Sequence, residues 1–150
     1  MTAVKIPARS IIVQVLAADN LTWLPISSLT EVTIDPSSNA SIADVTTFDS
    51  AGNYEARAMQ RGKAMDINGF LIKDDVTGTQ DAGQARCVTL AEATGEASVG
   101  KLRFRHPQDT QWKNWGAVFE EQKTGGKNND MSSWGVKVTR SGATTLTSAP

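Results

Sequence analysis

With 39% hydrophobic and 21% charged side chains, the 150-residue chain holds enough apolar material for one domain with a sizeable core, which argues against disorder. A formal net charge of −1 gives no sign of a protein built to grip nucleic acid. The single cysteine, Cys87, excludes an internal disulfide and suits a reducing compartment. No apolar run reaches bilayer-spanning length, and the opening MTAVKIPARS lacks an apolar core of signal-peptide length, so neither a membrane span nor export by that route is expected.

Residues 1–9 are expected to be a flexible arm, because Pro7 discourages regular structure. Residues 10–16, dense in Ile and Val, read as a strand, and residues 23–26 and 29–34 keep that character. In the last of these Thr30, Val32 and Ile34 alternate with Glu31 and Thr33. Residues 35–39, DPSSN, mark a turn or loop. Residues 42–49, ending in DVTTFD, read as the next strand, and residues 50–53 as a short polar turn.

Residues 54–71, YEARAMQRGKAMDINGFL, read as a hairpin turning at Arg61 and Gly62. In that register Gln60 faces Lys63, Arg57 faces Asp66 and Tyr54 faces Gly69. One side then carries Tyr54, Ala56, Ala58, Met65, Ile67 and Leu71. The other carries Glu55, Arg57, Asp66 and Asn68, with Arg57 and Asp66 as a cross-strand ion pair. A slip of one residue would mix the two sets.

After a polar connection over residues 73–78, residues 81–94 read as the one helix, with Asp81 capping its first turn and Gly95 closing it. Gln84, Val88 and Ala91 share a side with Cys87 and Leu90 close by, so the helix is expected to cover one end or face of a sheet. Residues 100–105 alternate sharply, Leu102 and Phe104 inward, Lys101, Arg103 and Arg105 outward. Residues 115–119 and 134–138 form a last hairpin, setting Trp115, Ala117 and Phe119 against Trp134, Val136 and Val138. Its connecting loop, residues 123–130, is rich in Gly and Asn, and residues 141–150 read as a Ser/Thr/Ala tail. Many short strands with one helix imply a mainly β domain spanning residues 1–150, a β-sandwich or partial barrel with one flanking α-helix.

No residue set announces catalysis, a metal or a cofactor. His106, the one histidine, precedes Pro107 at a strand end, and Cys87 sits among apolar helix positions; each reads as a structural residue rather than half of a nucleophilic pair. Asp74-Asp75 and Glu120-Glu121 lack the alternating ligands of a calcium loop, and Gly125-Gly126 precedes no helix that would hold a phosphate. Trp115 and Trp134 read as core. Trp23 and Trp112, each with polar or proline neighbours, read as partly exposed, which keeps a carbohydrate-binding β-sandwich as the alternative function.

The order of strand ending in DVTTFD, polar turn, strand, tight turn and strand ending in INGF resembles the central part of the major tail tube proteins of long, non-contractile phage tails. The short helix and the late Trp-Gly-Val strand fall where that family has them, so the resemblance spans residues 11–139. It implies a tail-tube-like fold and a structural subunit, not an enzyme, that self-assembles into stacked hexameric rings and forms a conduit for DNA ejection into the host. It further implies tip, terminator and tape-measure proteins as partners, DNA passing without specific contact, no membrane, and a place in the virion tail after assembly in the host cytoplasm. On that reading Glu55, Arg57, Asp66 and Asn68 are the expected lumen-lining residues. Lys101, Arg103, Arg105, Lys123, Lys127 and Asp130 are the expected contacts between subunits or rings. The bland alternative for the Lys101, Arg103 and Arg105 stripe is a solvated face or protected edge.

Overall fold

The computed structural model describes residues 2–149; Met1 of the expected arm and Pro150 of the expected tail lie outside the described residues. The alternation of the C-terminal half sets the core. In β7 (Val99–Arg105), β8 (Gln111–Glu121) and β9 (Ser133–Ser148), Leu102, Phe104, Trp115, Ala117, Phe119, Trp134, Val136 and Val138 are all buried. Their registers bring Leu102 opposite Trp115 and Phe119 opposite Val138. Phe104 meets Trp115 edge to face, ring centroids 5.2 Å apart at 86°, an arrangement that adds to plain area burial. β1 (Ile12–Leu16) contributes Val13 and Val15, and β6 (Ala64–Phe70) contributes Met65 and Ile67.

With β2 (Trp23–Pro25) and β3 (Leu29–Asp35), these strands form one antiparallel sheet in the order β2-β1-β7-β8-β9-β6-β3. Its two edges are consecutive in sequence. β2 ends at Pro25 and β3 starts at Leu29, and four residue steps reach about 14 Å at most. The sheet must therefore roll until its edges nearly meet, which makes it a partial barrel. Residues 26–28 bridge the gap: Ile26 N donates to Val13 O at 3.1 Å, and Phe70 N donates to Ser28 O at 3.0 Å. Gly69 makes this possible, because a Cβ there would collide with the Ser28 carbonyl.

α1 (Ala82–Glu92) closes the core with Cys87 and Leu90. Asp81 caps it by accepting from Gln84 N at 3.4 Å. The helix stops at Ala93, ahead of the expected Gly95, whose φ of +66° instead opens a single 3-10 turn over Gly95–Ser98. Gly83 lets the helix lie directly on the Pro25 carbonyl.

Two sequence expectations give way here. First, Arg61 and Gly62 do not form a hairpin turn. β5 (Ala56–Gln60) pairs with β4 (Ser41–Asp44), whereas β6 pairs with β3 and β9. From Asp35↔Ala64 to Ser41↔Gln60 the chain advances six residues on one side and four on the other, so β3, β4, β5 and β6 are one long antiparallel ribbon with an irregular middle. Its tip lies at residues 45–55. Gly62 is buried against the Ser38 carbonyl, and Gln60 Nε2 donates to Asn39 O at 2.6 Å, which ties the two halves of that middle together. Arg57 consequently sits opposite Ala43 and Asp66 opposite Thr33 and Lys137, so the expected Arg57–Asp66 ion pair does not form. Second, residues 141–148 are not a loose tail but the second half of β9, pairing as Asn114↔Thr145 and Trp112↔Thr147. The bend falls where β9 advances four residues against two of β8, with Gly142 at φ +85°.

Candidate assembly surfaces

The ribbon beyond the barrel has no core to cover it. Ile42, Phe48, Tyr54 and Met59 are exposed, Phe48 completely. The tip is nevertheless locally ordered by side chain to backbone bonds. Thr46 N donates to Asp44 Oδ1 at 2.9 Å, Glu55 N to Thr46 Oγ1 at 2.9 Å and Thr47 N to Ser50 Oγ at 3.0 Å. The Thr46 hydroxyl and then its amide hold the Asp44 carboxyl below the usual carboxylate range. Residues 44–56 contain Asp44, Asp49 and Glu55 and no Lys or Arg, so the tip is anionic as well as apolar. The sequence reading took residues 42–49 as plain strand; the Thr47 to Ser50 spacing before Gly52 was the available signal of a tight turn displaying Phe48.

The expected lumen set divides between two places. Glu55 and Arg57 belong to the ribbon, and both are exposed. Asp66 and Asn68 lie on the outer face of the barrel sheet, since Met65 and Ile67 point inward. Across that outer face the registers align Thr33, Asp66, Lys137 and Glu120 in one row, and Glu31 with Asn68 in the next. Opposite charges thus alternate across strands.

The cationic stripe is not uniform. Lys101 is exposed, but Arg103 is built into the fold. Its guanidinium lies between two indoles, 4.4 Å from the Trp23 ring centroid and 4.1 Å from that of Trp112, and its Nε donates to Gln14 Oε1 at 2.7 Å. Burial, and then the charge of Arg105, lower the Arg103 pKa from its ordinary value. Arg105 covers Trp112 at 5.0 Å and donates through Nη1 to Asp109 O at 3.3 Å. Trp112 is accordingly only 6% exposed, contrary to the sequence expectation, and Trp23 is half-buried. Trp112 is therefore no stacking platform for a sugar ring, and one face of Trp23 is taken by Arg103.

In the loop after β8, Lys123 and Lys127 are exposed. Asp130 Oδ2 accepts from Lys127 N at 3.0 Å and so serves a local turn, and Gly125 and Ser133 exchange backbone bonds of 3.2 and 2.8 Å that close the loop. Cys87 is fully buried, and burial pushes its thiol up to about 12, which leaves it protonated and unreactive at neutral pH. His106 is half-buried just after β7, its backbone amide donating to Asp109 Oδ2 at 3.0 Å. Among the described residues no three His, Cys, Asp or Glu side chains converge as a metal site, and no helix is long and apolar enough to cross a membrane.

The residue that sequence reasoning missed is Gln84. Placed in the helix's inner stripe, it is completely buried, and its amide joins three segments: Nε2 donates to Phe70 O at 2.8 Å and Ser27 O at 3.4 Å, while Oε1 accepts from Ile72 N at 3.3 Å. A lone Gln among apolar helix positions was the only hint.

No protein-family model and no curated protein matches the chain. Solved structures do. A chain from the tail of an empty gene transfer agent particle, refined helically with C6 symmetry, is 18% identical with a TM-score of 0.64, covering 95% of this chain and 98% of that one. A chain from the virion of a native gene transfer agent is 20% identical with a TM-score of 0.65, again covering 95% and 98%. A chain from the six-fold symmetrised baseplate of the anti-feeding prophage is 8% identical with a TM-score of 0.60, covering 99% and 98%. The protein therefore has the mainly β fold found among chains of phage-like tail and baseplate particles.

Proposed function

We propose that this protein is a tail tube subunit, without catalytic activity, whose copies close into hexameric rings that stack into a conduit for DNA. The observation that carries the proposal is the ribbon of residues 29–69. It projects an ordered, apolar and anionic tip beyond the barrel core, and monomeric proteins rarely maintain such a surface without a partner. Fold similarity to chains from six-fold tail and baseplate particles, end to end on both sides, supports six copies as the partner. The narrower assignment to long, non-contractile tails rests on the sequence resemblance alone, and the tight turn at Arg61 and Gly62 that was part of it is absent.

In this reading the outer face of β3, β6, β9 and β8 lines the bore. Asp66 and Asn68 stand there beside Glu31, Lys137 and Glu120, and Glu55 and Arg57 continue the lining along the ribbon. Three carboxylates around one ammonium keep water bound and give a phosphate backbone no continuous cationic track. Tip, terminator and tape-measure proteins are the expected partners in a virion tail assembled in the host cytoplasm.

Negative-stain microscopy and sedimentation of the purified chain over a concentration series test the proposal. Rings or tubes of uniform diameter are the expected product; a chain that remains monomeric to millimolar concentration refutes it.

A further inference from the structure

The anionic tip and the cationic side of the barrel fit each other, yet within one chain they do not meet, since Phe48 stands wholly in solvent. A groove of 430 Å³ opens beside the Arg103 stack, lined by Trp23, Lys101, Asn114, Ala143, Thr145 and Thr147. It offers an indole edge, threonine methyls and one exposed ammonium, with no carboxylate on its walls. Across Ala143 it adjoins a second groove that holds Arg61 and Arg140 and again no carboxylate. Arg140 Nε is buried there without a partner, and its Nη1 reaches only Thr144 Oγ1, at 2.7 Å. Among the described residues, Arg103 Nη1 and Nη2 also take no hydrogen-bond partner, although the stack fixes their direction.

The tip presents the complementary set. Phe48 is wholly in solvent, Asp49 follows it, and Asp44 stands at the base of the same turn. The groove along the free edge of β3 suits the tip less well, since it carries Arg9 and Glu31, whose charges cancel, and no aromatic wall.

Resting on the tube reading above, we propose that the ribbon tip of one copy docks on the barrel of another. Phe48 enters the groove beside Trp23 and Ala143, Asp49 pairs with Lys101 and the Arg103 guanidinium, and Asp44 faces Arg61 and Arg140 across Ala143. The Trp23–Arg103–Trp112 stack is then a preorganised receptor, with its arginine held rigid before the partner arrives, so docking orders few side chains. The stripe on β7 reads an acidic segment of a second copy and not nucleic acid.

A charge-exchange series tests this. The concentration at which rings or tubes appear is measured for the wild type, Phe48→Ser, Asp49→Lys, Lys101→Glu, and the Asp49→Lys/Lys101→Glu pair, with circular dichroism confirming each monomer fold. All three single changes are at exposed sites. Each is expected to raise that concentration about tenfold or more, and the exchanged pair to assemble at a clearly lower concentration than either charge-reversed single, short of wild type because the unchanged Arg103 repels the new ammonium. Single variants that assemble like wild type, or a pair no better than its worse single, overturn the docking while leaving the tube reading intact. A wild-type chain that never assembles overturns both.

Discussion

Replacing Gln84 with Leu keeps the side-chain volume and removes one amide. Phe70 O loses its 2.8 Å donor, Ile72 N its 3.3 Å acceptor and Ser27 O a weaker 3.4 Å contact. An orphaned buried polar group costs about 1–3 kcal/mol; none of Ser27, Phe70 and Ile72 is fully buried, so the lower half of that range applies, and the two shorter contacts together come to about 2–4 kcal/mol. With a urea m-value of about 2 kcal/mol/M for a domain of this size, the unfolding midpoint should fall by about 1–2 M with m unchanged. Fluorescence of the buried Trp115 and Trp134 reports the transition. The measurement belongs at low protein concentration, since any association would raise apparent stability. A midpoint shift under about 0.3 M would show that water satisfies those backbone groups and that the amide is not what fastens α1 to the barrel seam.

Other outcomes follow from the same structure. Arg103→Ala removes a cation stacked on two indoles and should lower stability by about 1–3 kcal/mol, with a red shift in tryptophan emission as Trp23 and Trp112 meet water. Cys87 should resist a thiol reagent at pH 8 in the native chain and react fully in denaturant, because its pKa near 12 and its burial act together. Truncation before residue 141 should destabilise the barrel, not merely trim it, since it strips the partner strand from Gln111 to Asn114; calorimetry reads the loss. Deleting residues 123–130 should leave the monomer fold intact by circular dichroism and block tube growth by microscopy. Below the usual carboxylate value of 3.8, protonation of Asp44 should release the Thr46 amide. Its pKa is depressed in the fold, so the contact is complete above that pH and is lost only as pH falls further, which amide exchange detects.

The core was legible because period-two alternation is a local property. Leu102 and Phe104, then Trp115 to Phe119 and Trp134 to Val138, declare their inward faces without knowledge of their partners. The Asp81 cap was equally local. Errors arose where a distant segment decides. Arg-Gly flanked by alternating residues looks the same whether the chain reverses or continues, and only the Ser38 carbonyl seated against Gly62 shows that it continues. Polar sequence neighbours suggested that Trp112 was exposed, but its cover comes from Arg103 and Arg105 on the adjacent strand. Residues 141–148 look like a tail by hydropathy, yet Thr and Ser suffice for a strand that shows one face to water. The same non-locality divided the lumen set: Asp66 and Asn68 share the outer face of the barrel sheet, while Arg57 lies on the ribbon opposite Ala43 and not opposite Asp66.

The position of β9 in the sheet has a consequence for the order of events during synthesis. Before residues 133–148 leave the ribosome, β2, β1, β7 and β8 can form one half-sheet and β3 with β6 another, and nothing in the sheet order joins them. β9 is the zipper between the two halves, so the ribbon acquires its fixed angle to the barrel only once that strand has been made. A chain without that strand would hold the two halves only by the link at residues 26–28, leaving the ribbon without a set direction relative to the Trp23–Arg103–Trp112 stack.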